Sequence, residues 1–375
     1  MLTRFTRALQ FHILLRCVPA CAAVLLILAA SPARAQMFDP TLTVGGGIQG
    51  SYVHTEPSGT GAKDTDTFAL NHLRLYFSGD ITKDISAMIN TDYSSGPNTM
   101  NVLDAVGMYH PSSMFNIWFG RFLPPSDRAN MYGPFYSNQF AVFNDGVQDG
   151  YPFVFQGRDN GIMYWGDFKA ASAKIKVSAG AFDGASSTGN SSVLWAGRVQ
   201  VDLWDPEGGY YLNGTYYGDK NLLAFGVATQ SQAFKTATTA DFLLEKKIMN
   251  GGAFTIESEY SRYNRLGGYN GAYSKSEGGY GLVSVLFPKQ IGIGKVDVIG
   301  KFASAEFNGS ASKLLSPNYH QKTTDVELGY IIKQFDARVF AFGTNFTFNG
   351  VQKNFWQAGL GLQLQLSKQI LGASH

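Results

Sequence analysis

Strict alternation of apolar and polar residues over long stretches constrains the fold of this chain more than any other feature. Near the C-terminus the apolar members of one such stretch are Trp356, Ala358, Leu360, Leu362, Leu364 and Leu366. Between them stand Gln357, Gly359, Gly361, Gln363 and Gln365. Successive side chains of a strand point to opposite faces, so a period of two predicts strands with one apolar and one polar face.

Strand length separates two all-β architectures. Strands of a soluble β-sandwich usually run about five or six residues, whereas membrane strands need roughly 9 to 11 residues to cross lipid at a tilt. Many alternating stretches of this chain reach the longer range. Because open edges in lipid would leave backbone groups unpaired, such a sheet must close. The sequence therefore predicts an all-β fold, an antiparallel transmembrane β-barrel.

Composition excludes two other classes of protein. Charged residues make up 15% of the 375 residues, too few for a disordered chain or for a basic nucleic-acid-binding protein, so no nucleic-acid partner is expected. The 43 glycines and the 14% of aromatic residues suit strands joined by turns.

The first 35 residues read as a secretory signal peptide. Three arginines precede the apolar run 17–30, and Ala33-Arg34-Ala35 then forms a small-x-small cleavage motif. The run is shorter than the roughly 20 residues of a membrane-spanning helix. We therefore expect residues 1–35 to be removed during export, which leaves residues 36–375 as a single barrel domain.

Cleavage would change both the charge and the cysteine content. It removes four of the 30 basic residues and none of the 28 acidic ones, so the mature chain carries 26 basic residues. Cys17 and Cys21, the 2 cysteines of the chain, leave with the signal peptide. The mature chain is thus expected to hold no disulfide and no cysteine metal site.

The alternation places about sixteen strands, with 14 or 18 as open alternatives. Their expected ranges are 42–54, 68–81, 85–93, 102–110, 114–121, 158–168, 174–182, 193–204, 221–230, 237–246, 252–263, 277–287, 294–305, 324–332, 337–346 and 354–366. Outer-membrane barrels alternate short periplasmic turns with longer outer loops. The join 205–220 is long on the expected short side and contains a strand-like stretch, 210–216.

The longest gap, 122–157, is predicted to fold into the lumen and to narrow it. It contains Pro124, Pro125, Pro134 and Pro152, so it is not a strand, and it is too aromatic to stay solvated. The candidate charges of the constriction are Arg121, Asp127, Arg128, Asp145, Asp149 and Arg158.

Strand phase gives a second set of candidates, the residues that line the pore along its length. These are Arg74, Lys174, Lys176, Arg198, Glu257, Glu259, Lys295 and Lys301. On the same phase, the bases are outnumbered by acids, namely Asp80, Asp92, Asp202, Asp241, Glu245, Glu257, Glu259, Asp297, Asp325 and Glu327. We therefore expect a mixed field in the lumen, with Lys174 and Lys176 as the best local anion site.

Several short segments, taken together, resemble the phosphate-selective porins O and P of bacterial outer membranes. The similar segments are 74–80 leading to 90–93, the Gly-Arg-Phe segment 119–122 before Pro124, and 157–161 followed by 180–184. The resemblance implies an outer-membrane porin that forms a homotrimer and passes anions or phosphate. The acidic excess of the expected lumen argues instead for weak selectivity.

The function expected from the sequence is passive diffusion of small hydrophilic solutes or ions across the outer membrane, with lipid as the surrounding partner. The alternative is a non-conducting barrel that serves as an adhesin, a scaffold or a hydrolase. The histidines of the mature chain lie apart in sequence, and none belongs to a Gly-x-Ser-x-Gly or His-Glu-x-x-His motif. No catalytic activity, cofactor or metal is expected.

Overall fold

The computed structural model describes residues 40–57, 61–94, 98–140, 145–147, 157–184, 192–310, 318–349 and 353–371. The expected signal peptide, 1–35, and Asp149 lie outside these ranges. The strands are β1 (Leu42–Pro57), β2 (Thr65–Thr82), β3 (Ile85–Ser94), β4 (Thr99–Ser112), β5 (Phe115–Phe122), β6 (Asp159–Ala170), β7 (Ala173–Phe182), β8 (Leu194–Asp202), β9 (Leu222–Gln232), β10 (Lys235–Ile248), β11 (Gly252–Asn264), β12 (Tyr273–Ile291), β13 (Gly294–Ser310), β14 (Asn318–Lys333), β15 (Ala337–Asn349) and β16 (Phe355–Leu371).

Each strand pairs with its neighbours in the chain, and β1 pairs with β16 to close the barrel. At this seam the strands are antiparallel, with Gly46 opposite Leu366 and Tyr52 opposite Leu360. The barrel thus has sixteen strands, as predicted, and the alternatives of 14 and 18 are excluded. Every backbone edge of the sheet is paired, as a barrel in lipid requires.

The two faces of the barrel differ as the alternation predicts. On β16 the side chains of Leu360, Leu362, Leu364 and Leu366 are exposed on the outer face, and Gln363 is buried in the interior. Charged and amide side chains are buried on the inner face of many other strands. Among the described residues, no helix has the length and apolar character needed to cross a membrane.

Two connections between strands are long, and they start from opposite ends of the barrel. Most joins that follow even-numbered strands are tight, for example the turn at Lys83 and Asp84 between β2 and β3. The β8–β9 connection, 203–221, is the exception, and its stretch 210–216 is not a strand. The β5–β6 connection, 123–158, leaves the other end, because neighbouring strands run antiparallel. The described residues of both connections fold into the barrel.

Candidate functional site: the barrel interior

The β5–β6 connection forms a buried turn of helix inside the barrel. This helix, α1 (Arg128–Tyr132), is capped by Asp127, whose carboxylate accepts a hydrogen bond from the Asn130 backbone N–H at 2.8 Å. The Ser126 hydroxyl donates to the same carboxylate at 2.9 Å. Asp is among the preferred N-cap residues because its oxygen satisfies an otherwise unpaired N–H. Asp127, one of the predicted charges of the constriction, therefore uses its carboxylate to stabilise the start of the helix.

The β8–β9 connection meets the β5–β6 connection in the interior. The backbone N–H of Leu212 donates to the Met131 carbonyl at 3.3 Å, and that of Gly214 donates to the Tyr136 carbonyl at 2.8 Å. Aromatic packing adds to these bonds, since the ring of Tyr210 lies 4.9 Å from that of Trp118 on β5. The two connections form one layer across part of the lumen.

A buried ion pair joins the two connections. The Arg128 guanidinium donates to both carboxylate oxygens of Glu207, at 2.9 and 2.5 Å, and both side chains are fully buried. Burial alone would raise the pKa of the Glu207 carboxyl, but the charge and hydrogen bonds of Arg128 outweigh it and lower that pKa to about 2. The same pair raises the pKa of Arg128.

The depressed pKa of Glu207 predicts how the closed arrangement responds to acid. A carboxyl whose pKa falls on folding stabilises the fold above its ordinary pKa, 4.5 for Glu207, and loses that contribution as the pH falls towards about 2. We expect the conductance of the reconstituted barrel to be insensitive to this pair between pH 7 and about 5 and to rise only in stronger acid. In Glu207→Gln that acid-induced rise should be missing, which current recordings at stepped pH would reveal.

Two further bases of the interior are paired with acids. Arg198 on β8 binds the Asp241 carboxylate of β10 in a bidentate manner and also donates to the Ser126 carbonyl at 3.1 Å. Lys301 on β13 lies 2.5 Å from a carboxylate oxygen of Asp145 in the β5–β6 connection. These side chains anchor the β5–β6 connection to the barrel wall.

The two lysines expected to form an anion site donate hydrogen bonds to groups of the protein. Lys176 donates to the Gly209 carbonyl, and Lys174 donates to the Glu207 carbonyl at 2.8 Å while pairing with Asp167 at 2.8 Å. Both lysines therefore hold the β8–β9 connection against β7. Lys295, another predicted lining residue, sits at the barrel end, and its ammonium donates to the carbonyl of a turn glycine, Gly251, at 2.6 Å.

The predicted acidic lining residues of β11 face the interior. Glu257 accepts hydrogen bonds from the hydroxyls of Tyr132 on α1, at 2.8 Å, and Tyr280 on β12, at 2.6 Å. Glu259 is buried and accepts from the Ser261 hydroxyl at 2.7 Å. Glu257 thus gives α1 a further attachment, on the side of the barrel opposite β4.

The remaining candidates divide between the two faces. Arg74 and Arg158 point inwards, where the Nε of Arg74 donates to Asp92 at 3.0 Å and that of Arg158 to Asp104 at 3.3 Å. Arg121 does not point into the interior. It shares the outer phase of β5 with the exposed Phe119, and its Nε donates to the Val102 carbonyl at 3.3 Å.

Arg338 on β15 is a fully buried interior base that the sequence analysis did not single out. Its guanidinium donates to the carbonyls of Ser137 at 2.6 Å and Phe135 at 3.1 Å, and to the side-chain oxygen of Gln363 at 2.8 Å. It also donates to the Tyr217 hydroxyl at 3.0 Å. The Arg338 side chain therefore binds backbone carbonyls of the β5–β6 connection, and it also contacts the β8–β9 connection.

Glycines on both strands of the seam make room for aromatic rings of the β5–β6 connection. A Cβ atom on Gly47 of β1 would lie 2.6 Å from the ring of Phe135, and one on Gly361 of β16 would lie 2.6 Å from the ring of Phe140. Both distances are far shorter than van der Waals contact. A larger residue at either position would displace the ring that packs there.

A cavity of about 380 Å³ remains between the β5–β6 connection and the wall formed by the first four strands. Two guanidinium groups, Arg74 and Arg158, line it, together with Tyr76 and Asn130. A solute has room in this part of the described interior, beside the two connections.

The described residues contain a close serine-histidine pair and no cluster of side chains suited to hold a metal ion. No group of three or more His, Cys, Asp or Glu residues that could hold a metal ion occurs among them. The Ser86 hydroxyl lies 2.9 Å from Nε2 of His110, and no ion pair of His110 with a carboxylate occurs within the described part of the chain. A Ser-His pair without an orienting acid is an incomplete hydrolase triad.

No protein-family model matches the sequence, and no curated protein matches it. Among solved structures, the fold is similar to that of OprB from Pseudomonas putida, with a TM-score of 0.57 and 10% identity over 88% of this chain and 94% of that one. It is also similar to a loop L8 deletion mutant of OmpT, an outer membrane protein of Vibrio cholerae, with a TM-score of 0.53 and 12% identity over 88% of this chain and 100% of that one. At such identities the likeness establishes the fold, that of outer-membrane β-barrels, and the phosphate-porin resemblance stays a prediction.

Proposed function

We propose that this protein is an outer-membrane porin, a passive channel for small hydrophilic solutes or ions. The observation that supports this function best is the closed sixteen-stranded barrel with an apolar outer face and a charged interior. Sixteen strands enclose a lumen wide enough for water, and buried charges then bias which solutes pass. Surrounding lipid, export by a cleaved signal peptide and a homotrimeric assembly belong to the same proposal.

The proposed constriction consists of the two connections and the charges that hold them. In the described interior, each of the bases Arg74, Arg128, Arg158, Arg198 and Lys301 contacts a carboxylate. Arg338 and Lys176 are bound by neutral oxygens instead, but they lie on separate strands, so these bases form no ladder of unopposed positive charge along the described strands. We therefore propose weak ion selectivity with at most modest block by phosphate, in contrast to what the phosphate-porin resemblance implies.

Conductance of the refolded protein in planar bilayers tests the channel and its constriction together. We expect discrete, small steps for the full barrel and clearly larger steps after deletion of residues 132–143, because the deletion removes part of the layer across the lumen. Heat-modifiable migration on gels would show that both proteins have folded. Equal step sizes would place the constriction elsewhere.

The filled interior favours one alternative, a non-conducting barrel that serves as an adhesin, a scaffold or a hydrolase. Nearly all side chains of the β5–β6 connection between residues 122 and 139 are buried. A folded barrel that shows no conductance, before or after the deletion, would support this alternative over the porin.

A further inference from the structure

A pocket lined by aromatic rings lies at the barrel end where β15 ends and β16 begins. It has a volume of about 260 Å³, and its rings are those of Tyr269, Tyr319, Phe346, Phe348 and Phe355. Tyr269 belongs to the β11–β12 connection, and the other four rings belong to β14, β15 and β16. This aromatic pocket shares no lining residue with the cavity beside the first four strands.

The aromatic pocket belongs to the lumen. On β16, Gln357 of the pocket shares the phase of Gln363, which is buried in the interior. On β14, Gln321 of the pocket shares the phase of the buried Asp325. The β5–β6 connection comes close to it, since a Cβ atom on Gly146 would lie 3.2 Å from the Gln321 side chain. A solute in the aromatic pocket would therefore sit beside the proposed constriction.

The rings of the aromatic pocket are held by stacking on one another and on a neighbour. The centroids of Phe346 and Phe355 lie 4.4 Å apart, and Phe348 stacks on Phe355 at 5.9 Å. Tyr319 stacks on the buried Phe307 at 4.4 Å, with an angle of 9° between the ring planes. Rings fixed in this way lose little entropy when a solute packs against them. The pocket is thus preorganised for a solute with an apolar face.

The rest of the lining consists of the amides Asn270, Gln321 and Gln357, and none of the described lining residues carries a charged side chain. The Asn270 amide donates to the Tyr319 hydroxyl at 3.2 Å, and the Gln357 amide donates to the Thr55 hydroxyl at 3.1 Å. Each of these bonds uses one of the two N–H donors of its amide. The Tyr319 hydroxyl accepts in its bond, so its own O–H can donate to a solute.

The combination of rings and amides selects the chemistry of a solute. An ion would give up its hydration without meeting an opposite charge among these residues. A flat aromatic solute would match the rings but would cover amides and phenol hydroxyls without pairing them, which is costly. A cyclic sugar satisfies both, because its ring presents C–H groups while its hydroxyls donate and accept hydrogen bonds.

We infer that the aromatic pocket binds one ring of an uncharged cyclic sugar. Its volume of about 260 Å³ is below the range of about 300–1,000 Å³ typical of drug-sized ligands, which suits a single ring. The C–H groups of the sugar pack on the aromatic rings, and its hydroxyls bind the amides. The inference rests on the proposed function, since it names a class of solute that the channel holds beside its constriction.

Titration calorimetry on the folded full barrel tests the inference, in a detergent without a sugar headgroup. The probes are methyl glucopyranoside, an uncharged cyclic sugar; sorbitol, which carries its hydroxyls on an open chain; and benzamide, a flat aromatic amide. We expect methyl glucopyranoside to bind about tenfold or more tightly than either of the others. Sorbitol lacks the preformed ring, and benzamide leaves polar groups of the pocket unpaired.

Two variants place the binding in the aromatic pocket. Phe348→Leu removes a ring but keeps an apolar side chain, and it should weaken methyl glucopyranoside binding about two- to tenfold. Gln357→Met removes an amide at similar side-chain length and should weaken binding about three- to tenfold, the effect of one hydrogen bond. Heat-modifiable migration on gels would show that each variant has folded.

Matched controls change the same residue types outside the pocket. Phe302→Leu alters a ring that is exposed on the outer face of β13. Gln290→Met alters an exposed amide at the opposite barrel end, where it donates to the Gly292 carbonyl at 3.2 Å. Both controls should bind methyl glucopyranoside with the affinity of the unaltered protein.

The outcomes separate this inference from the porin function. Weaker binding in either folded pocket variant, with both controls unchanged, supports the site. Absence of methyl glucopyranoside binding, equal affinity for sorbitol or benzamide, or unchanged affinity in both pocket variants would each overturn the inference. Conductance without sugar binding would leave the porin and remove the site. Sugar binding that the pocket variants weaken, in a barrel that never conducts, would leave the site and remove the porin.

Discussion

Glu207→Gln is expected to raise the single-channel conductance, with the largest effect of any single substitution in the β8–β9 connection. The change removes the bidentate carboxylate of Arg128 and leaves Asp241, 3.7 Å from its Nε, as the remaining acid beside the buried guanidinium. Loss of one partner of a buried pair costs about 3–5 kcal/mol, which the second acid lessens. The polypeptide joins the connection to strands only at its two ends, so the connection can escape this cost by leaving the interior, although it then loses contacts such as those with Lys174 and Lys176. Planar-bilayer recordings of the refolded variant measure the result.

Two companion variants make this prediction specific. Glu277→Gln changes an acid of an exposed pair, 3.5 Å from Arg262, and should leave conductance unchanged, since surface pairs contribute about 0–1 kcal/mol. The double variant Arg128→Met with Glu207→Leu replaces the buried pair by apolar side chains and should retain the small conductance. If Glu207→Gln conducts like the unaltered barrel, the ion pair does not hold the connection.

Arg338→Met should both destabilise the barrel and disturb the current. The substitution removes the donor that satisfies the buried carbonyl of Ser137, and an acceptor left unsatisfied costs about 1–3 kcal/mol. The Phe135 carbonyl loses one of its two donors and keeps its hydrogen bond from the Gln363 amide at 3.0 Å. We expect a lower midpoint of urea unfolding and frequent current fluctuations as the β5–β6 connection loosens.

Lys333→Met is the matched control for Arg338. Lys333 ends β14 at the exposed rim and pairs with Asp336 at 3.0 Å, so its loss should shift the midpoint very little. Arg338→Lys tests geometry separately from charge, because an ammonium cannot reproduce the fork of guanidinium donors. Full recovery by lysine would contradict the role assigned to the fork.

The strands were predictable because lipid and water impose the alternation on the sequence itself. All sixteen expected ranges coincide with observed strands, although several strands extend further at their ends. For example, β2 begins at Thr65 and β12 at Tyr273. Beyond the apolar band the faces lose their contrast, while backbone pairing continues. The pattern therefore locates a strand better than it locates the ends of that strand.

Arg338 was not predicted to face the interior because β15 carries its aromatic residues on the inner face. Phe340, Phe342 and Phe346 are buried in the interior, and small residues occupy much of the outer face of that strand. Rings of the β5–β6 connection account for the reversal, since Phe140 lies 5.9 Å from Phe342 in a stacked arrangement. A reading in which aromatic residues face lipid therefore gives the wrong phase wherever the lumen is filled.

The partners of the interior charges could not be predicted from the sequence, for a different reason. Lys174 and Lys176 lie two residues apart on β7, and the carbonyls that they bind belong to the β8–β9 connection. Glu207 was part of a join with no recognised role. Alternation reports the face of a strand and carries no information about which distant connection will pack against it.

The glycines at the seam have a consequence for assembly. Phe135 packs on Gly47 of the first strand and Phe140 on Gly361 of the last, so both rings sit directly inside the line where the cylinder shuts. Their packing couples the position of the β5–β6 connection to the closing of the cylinder. We expect misplaced rings to slow the pairing of β1 with β16 during biogenesis.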